Sequence, residues 1–239
     1  MEKLPEINCD LGEGIPSESQ IFPWIDAASV ACGGHFGDQF SIEKTLLLAK
    51  KFEKKVGAHP SYPDKKNFGR QSLEISNNEL MISIQMQINL FEEVLKKVGL
   101  EFDHIKFHGA LYNNAAANQE LADFLTDFLK SNYPQIPVFT PPKSQMEFFS
   151  KQKGLLTRSE VFADRAYNPD LTLVSRKTPD SLLSDEKSIL RHLSQIFENE
   201  EIKSIDGSKI PVKVDTFCFH GDNPGLEQFL PKIRKTWWD

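Results

Sequence analysis

Cysteine is scarce in this chain. Cys9, Cys32 and Cys218 are the only three in 239 residues, and none forms a C-x-x-C spacing, so they fit reduced thiols and exclude a disulfide framework. Long apolar runs are missing as well: no stretch reaches the roughly 20 residues that span a bilayer, so no membrane partner is expected. The opening residues MEKLPEINCD lack the basic and apolar regions of a signal peptide, which points to the cytoplasm. There is no cationic excess: 28 Lys and Arg face 34 Asp and Glu, for a net charge of −6. That balance argues against nucleic acid or an anionic membrane as a main partner. Also absent are G-x-x-x-x-G-K-[ST], G-x-G-x-x-G after a strand, H-E-x-x-H and G-x-S-x-G, so the sequence carries no recognisable nucleotide cradle.

What is present is an alternation of short apolar runs with longer amphipathic stretches. Hydrophobic residues at 39% and charged residues at 26% are enough for a sizeable core. Strands are expected over 5–9, 28–32, 55–59, 104–108, 136–140, 159–163 and 212–219. Helices are expected over 41–50, 79–98, 118–131 and 185–198, with a last one opening at Asn223-Pro224. Ser76 and Glu79 form a capping box before the second of these. Residues 198–209 are expected to form a solvated loop or hairpin, and Pro231 to kink or restart the last helix. With no long linker or repeat, the pattern predicts one α/β domain over 1–239. About seven strand–helix units suit a closed or nearly closed barrel better than an open sheet.

Four of the six histidines occupy equivalent places in that pattern. His35, His59, His108 and His220 each end an apolar run and precede a turn, in HFGD, HPSYPD, HGALYN and HGDNPG. Residues just past the carboxyl ends of parallel strands line the ligand site of α/β proteins, so these imidazoles predict one site drawn from the whole chain. In NCDLGEG, alternation places Asn8 and Asp10 on one face and Cys9 on the other, with Gly12 and Gly14 allowing close backbone approach around Glu13. Lys106 and His108 share a face. A lysine inside the barrel needs a carboxylate partner, and Asp10 is the candidate. Glu160, Phe162 and Asp164 share a face, as do Thr216, Cys218 and His220, which puts Cys218 beneath His220. Asp38 suits a helix N-cap. Arg70 suits either a bidentate hold on a substrate carboxylate or a surface salt bridge; Asp164 and Arg165 could simply pair with each other. His104 and His192 read as structural and surface histidines respectively.

These segments taken in order, NCDLGE, ACGGHFGD, GAHPSYPD followed by FGR, KFHGALYN, EVFADRAY and FHGDNPG, resemble the LamB/YcsF family from residue 7 to about 235. The chain departs from the family in reading GGH where GFH is frequent and KFH where KPH is common; neither change removes a polar group. The resemblance implies an irregular β/α barrel of the glycoside hydrolase/deacetylase type. It also implies the A component of an ATP-dependent 5-oxoprolinase, acting with subunits B and C to hydrolyse 5-oxo-L-proline to L-glutamate. Carried over motif by motif, it nominates Asp10, Glu13, His35, His59, Lys106, His108, Asp164, Arg165 and His220.

A lactam carbonyl is a poor electrophile, so phosphorylation of its oxygen by ATP would activate it for attack by water. The expected roles follow from this. Asp10, with His59, serves as general base, and Glu13 belongs to the same catalytic set. Lys106 with His108 or His220 stabilises the developing charge. His35 and Asp164 contact substrate, and Arg70 or Arg165 holds its carboxylate. The rival expectation is a stand-alone hydrolase or deacetylase using a divalent metal on Asp10, His35 and His59 or a neighbouring histidine. A third possibility is a protein that only binds 5-oxoproline or scaffolds a complex.

Overall fold

The structure, a computed structural model, describes residues 4–238. Six parallel strands follow one another around a ring: β1 (Glu6–Leu11), β2 (Ala27–Ala31), β3 (Lys55–His59), β4 (Phe102–Ile105), β5 (Val138–Thr140) and β6 (Thr157–Phe162). An antiparallel hairpin, β7 (Glu201–Lys203) and β8 (Lys209–Pro211), occupies the charged stretch near residue 200 and stands outside the barrel. The last strand, β9 (Thr216–His220), pairs with both β6 and β1 and closes a seven-stranded barrel. Parallel strands need crossovers, and helices supply them: α1 (Glu18–Ile21), α2 (Gln39–Lys51), α3 (Asn77–Val98), α4 (Gly109–Ala117), α5 (Gln119–Asn132), α6 (Gln145–Gln152), α7 (Glu186–Asn199) and α8 (Leu226–Trp237).

Strand alternation decides what enters the barrel. The register aligns Asp10 with Ser29 and His220, Ser29 with Gly57, and Ala31 with His59, so these inward residues stack in layers. The intervening residues, such as Cys9, Val30, Ala58 and Phe219, are fully buried against the helices. Arg158 stitches the floor of the barrel. Its guanidinium grips both oxygens of Asp103 at 2.5 and 3.0 Å and reaches Glu6 at 3.3 Å. Above it, His104 stacks on Phe139 at 4.0 Å and meets Ser29 Oγ at 3.0 Å, a structural place within the core. Gly57 makes room for that ring and its backbone, since a Cβ there would lie 2.4 Å from His104 Cδ2 and 2.3 Å from the His104 carbonyl oxygen.

Several boundaries differ from the sequence pattern for local reasons. β4 ends at Ile105, yet Lys106 and His108 still donate their N–H groups to Ala58 O and Pro60 O, so the alternation persists beyond the strand. Capping boxes at Asp38/Ser41 and Ser76/Glu79 start α2 and α3 as their side chains dictate. The last helix starts later than Pro224: its N-cap is Gly225 at φ 79°, and Asn223 is held back by Asp164. It then runs through Pro231 to Trp237 as one helix. His192 is half-buried, not exposed. It sits beside Ile189, Leu193 and Ile196 on the buried side of α7, and its Nε2 donates to Phe162 O at 3.2 Å.

Candidate functional site

The carboxyl ends of the strands open onto a cleft of about 760 Å³ lined by Asp10, Glu13, His59, Lys106, His108 and His220 among others. At its base Lys106, only 1% exposed, donates to Asp10 Oδ1 at 2.7 Å, and it lies 3.0 Å from both Glu160 Oε1 and Cys218 Sγ. Its three ammonium hydrogens are therefore committed inside the barrel. Burial opposes the lysine charge, but Asp10, Cys218 and Glu160 outweigh it and raise the pKa well above the usual value. Burial likewise pushes Asp10 up, yet His59 and Lys106 dominate and hold it well below the ordinary carboxylate range. Asp10 is thus a fixed anion and a weak proton acceptor. Burial drives the Cys218 thiol up, which leaves it a packing group.

Two imidazoles stand next to this pair, and backbone carbonyls set their tautomers. His59 Nδ1 donates to Lys106 O at 2.8 Å, and His108 Nε2 donates to Phe68 O at 3.0 Å. Their remaining nitrogens, His59 Nε2 and His108 Nδ1, face each other at 2.9 Å, with Asp10 Oδ2 3.4 Å from the former. Two lone pairs cannot face each other at that distance, so a shared proton or a cation has to lie between them. His35 stacks on His108 at 3.6 Å and 6°, and its Nε2 contacts Glu13 Oε1 at 3.0 Å. Burial, reinforced by the Asp10 charge, pushes Glu13 up to about 7. Burial holds His35 and His108 far below the usual imidazole value.

His220 is organised separately. Its Nδ1 donates to Asp164 Oδ1 at 2.8 Å, while Asp164 Oδ2 accepts from the His220 N–H and from Asn223 Nδ2. The ring stacks on Phe162 at 4.9 Å, which leaves Nε2 as the nitrogen available to the cleft. Burial opposes the Asp164 charge, but His220 and these hydrogen bonds keep it ionised.

Seven of the residues singled out in the sequence therefore converge at one mouth: Asp10, Glu13, His35, His59, Lys106, His108 and His220, with Asp164 directly behind the last. Arg70 stands at the rim with its Nη2 2.6 Å from Asp222 Oδ2. Arg165 does not pair with Asp164; it donates to Ser181 O and Val174 O and pins the loop that follows β6. Gly14 adopts φ 77°, and a Cβ there would meet the Phe36 ring at 2.8 Å. Alternation put Glu160 on the face of Asp164, and the structure makes it a partner of Lys106. Arg176 and the Phe68 carbonyl were not anticipated as part of the site, and no local signal marks them.

Among the described residues, two groups of potential metal ligands occur, Asp10/His59/His108 and Glu13/His35/His108, each with its ligand atoms within 4.8 Å of one another. Among the same residues, no helix is long and apolar enough to cross a membrane.

Comparison with known proteins agrees with the motifs. The model of the LamB/YcsF family matches residues 5–238. A protein of Campylobacter jejuni, named as the A component of 5-oxoprolinase, is 38% identical over 235 residues, covering 96% of this chain and 92% of the relative. One of the same name from Neisseria meningitidis is 35% identical over 233 residues, covering 98% and 95%. The crystal structure of a lactam utilization protein from Thermus thermophilus superposes with a TM-score of 0.88 at 30% identity, covering 98% of this chain and 97% of that one.

Proposed function

The chain belongs to the LamB/YcsF family, and from that premise we propose that it hydrolyses a lactam as the A component of a 5-oxoprolinase. The substrate of this proposal is 5-oxo-L-proline, the product is L-glutamate, ATP is the cosubstrate, and subunits B and C are the partners. Three buried free thiols suit a reducing compartment, the cytoplasm. The observation that carries the proposal is the pairing, across one cleft, of a proton-accepting and a proton-holding device. The acceptor is His220, oriented by Asp164. The holder is the His59–His108 pair beside Asp10.

The chemistry can be written on these groups. The lactam oxygen attacks the γ-phosphorus of ATP and ADP leaves, which makes the ring carbon electrophilic. Water adds to that carbon and gives its proton to His220 Nε2; the buried Asp164 carboxylate stabilises the resulting imidazolium. The carbon–nitrogen bond then breaks: the nitrogen takes the proton shared by His59 and His108, the new hydroxyl becomes the carbonyl, and the hydroxyl proton goes back to the histidine pair. This leaves an acyl phosphate, which a second water hydrolyses to glutamate and phosphate. The base in this scheme is His220 and not Asp10, because Asp10 is held ionised by Lys106 and His59. Lys106 has no hydrogen to spare for substrate and acts through its charge.

The test is glutamate release from 5-oxoproline with ATP, measured on the chain alone and with its B and C partners. Release that needs both partners and ATP is the expected result; no release in either condition would overturn the proposal. A second reading rests on the facing lone pairs of His59 and His108. A divalent cation would satisfy them together with Asp10 Oδ2, a His₂–carboxylate set, and would supply Lewis-acid activation for a stand-alone hydrolase. Stoichiometric metal in the purified chain, with hydrolysis that a chelator abolishes, would favour it.

A further inference from the structure

The cleft is larger than its inner end requires. A single five-membered lactam fills only part of about 760 Å³, a volume within the roughly 300–1,000 Å³ typical of larger ligands. The two ends also differ in charge. At the buried inner end the Asp10 charge is matched by Lys106, whereas the exposed part of the lining carries three cations, Arg70, Arg176 and Lys177, against the single carboxylate of Asp222. Arg70 arrives from the loop after β3 and Arg176 from the loop between β6 and α7. They meet at one atom: Arg70 Nη2 is 2.6 Å and Arg176 Nη1 is 3.1 Å from Asp222 Oδ2. Burial opposes the Asp222 charge, but the two arginines outweigh it and keep the carboxylate ionised.

We infer that Arg70 and Arg176 form a phosphoryl-binding subsite at the outer end of the cleft, which the Asp222 carboxylate fills until a phosphoryl group displaces it. The inference rests on the lactam-hydrolysis proposal for its substrate, an O-phosphorylated lactam. Three observations carry it. Two guanidinium groups from opposite loops point at a single acceptor, and planar bidentate donors of this kind match phosphate oxygens. The loop bearing Asp222 is pinned beside His220, since Asn223 Nδ2 donates to Asp164 Oδ2 and to Leu183 O; the subsite therefore adjoins the reacting carbon. The Arg70 guanidinium also lies over the Phe68 ring at 4.9 Å, the residue whose carbonyl orients His108. A substrate carboxylate would only exchange one monoanion for another at this point. A phosphoryl dianion with three oxygens gains charge and contacts on displacing Asp222. The same pair then holds the phosphoryl group of the acyl phosphate after ring opening.

Isothermal titration calorimetry with inorganic phosphate tests this on the full chain, with acetate as the carboxylate control. Saturable phosphate binding is expected. Arg70→Ala and Arg176→Ala should each weaken it about tenfold or more, and Asp222→Asn should tighten it several-fold, because the internal competitor is gone. Absence of saturable binding, unchanged affinity in both arginine variants, or acetate binding as tightly as phosphate would overturn the inference. Calorimetry needs no turnover, so the two claims fail separately. Phosphate binding that depends on both arginines, without glutamate release by the assembled complex, would sink the lactam proposal and keep the subsite. Glutamate release with unchanged KM in both arginine variants would do the reverse.

Discussion

Each ionisable side chain at the mouth has a state that its neighbours impose. His220 is the residue whose free nitrogen faces the cleft and whose other nitrogen is fixed by a buried carboxylate. Replacing it with Ala should lower turnover by roughly 10²–10⁴-fold, the usual contribution of a positioned base, and steady-state glutamate release by the complex measures it. Asp164→Asn should cost a similar factor, because an amide at that position permits the wrong tautomer; activity within about twofold of wild type in either variant removes the pair from the mechanism. Lys106 belongs to a different class. Lys106→Met leaves Asp10 and Glu160 as neighbouring buried carboxylates without their common cation, which should destabilise the fold by about 3–5 kcal/mol. The urea midpoint reads this. Adding Glu160→Gln should recover part of the loss, since one of the stranded charges is then gone.

At the level of elements, the strands and helices present these groups only because their packing faces are tightly constrained. β3 carries Gly57 where His104 crosses the barrel, and any side chain would collide with backbone. Gly57→Ala should therefore cost more than the roughly 1–3 kcal/mol of ordinary overpacking, with thermal unfolding as the check. Helix α7 packs His192 under the Phe162 carbonyl, and burial holds its pKa at about 4. The unfolded chain, with histidine near its ordinary value, binds that proton more readily than the folded one. His192 thus leaves stability intact above the unfolded value of 6.5 and costs stability progressively as pH falls from there toward 4. His192→Gln should flatten this part of the acid limb in a pH series of urea titrations; an unchanged slope would show that the imidazole contributes nothing to it.

Across the whole molecule, closure of the barrel lets residues far apart in the chain share one site. Arg158 on β6 ties Asp103 on β4 and Glu6 on β1 across the floor. Arg158→Met should remove a charge-assisted grip worth about 1.5–3 kcal/mol and lower Tm by roughly 2–4 °C for each kcal/mol in a chain of this size. Differential scanning calorimetry gives the answer. A Tm unchanged within a degree would mean that backbone pairing alone closes the ring.

The sequence by itself determined the seven-strand alternation, the capped starts of α2 and α3, and the collection of Asp10, His59, Lys106, His108 and His220 at the strand ends. All of these are local: a period of two, a period of 3.6, a cap three residues before its partner, a breaker after an apolar run. The Asp10–Lys106 contact was also legible, because parity put both inside and charge required a partner. The tertiary structure decided the rest. Nothing around Phe68 announces that its carbonyl selects a tautomer of His108, nor does the chain around Arg176 point toward Asp222. His192 reads as exposed until α7 is laid against β6, and nothing in the chain around Arg165 announces that it donates to Val174 O and Ser181 O. Hydrogen-bond partners and burial depend on which surfaces meet. Where the partner lies tens of residues away with no periodic signal, only the closed barrel specifies it.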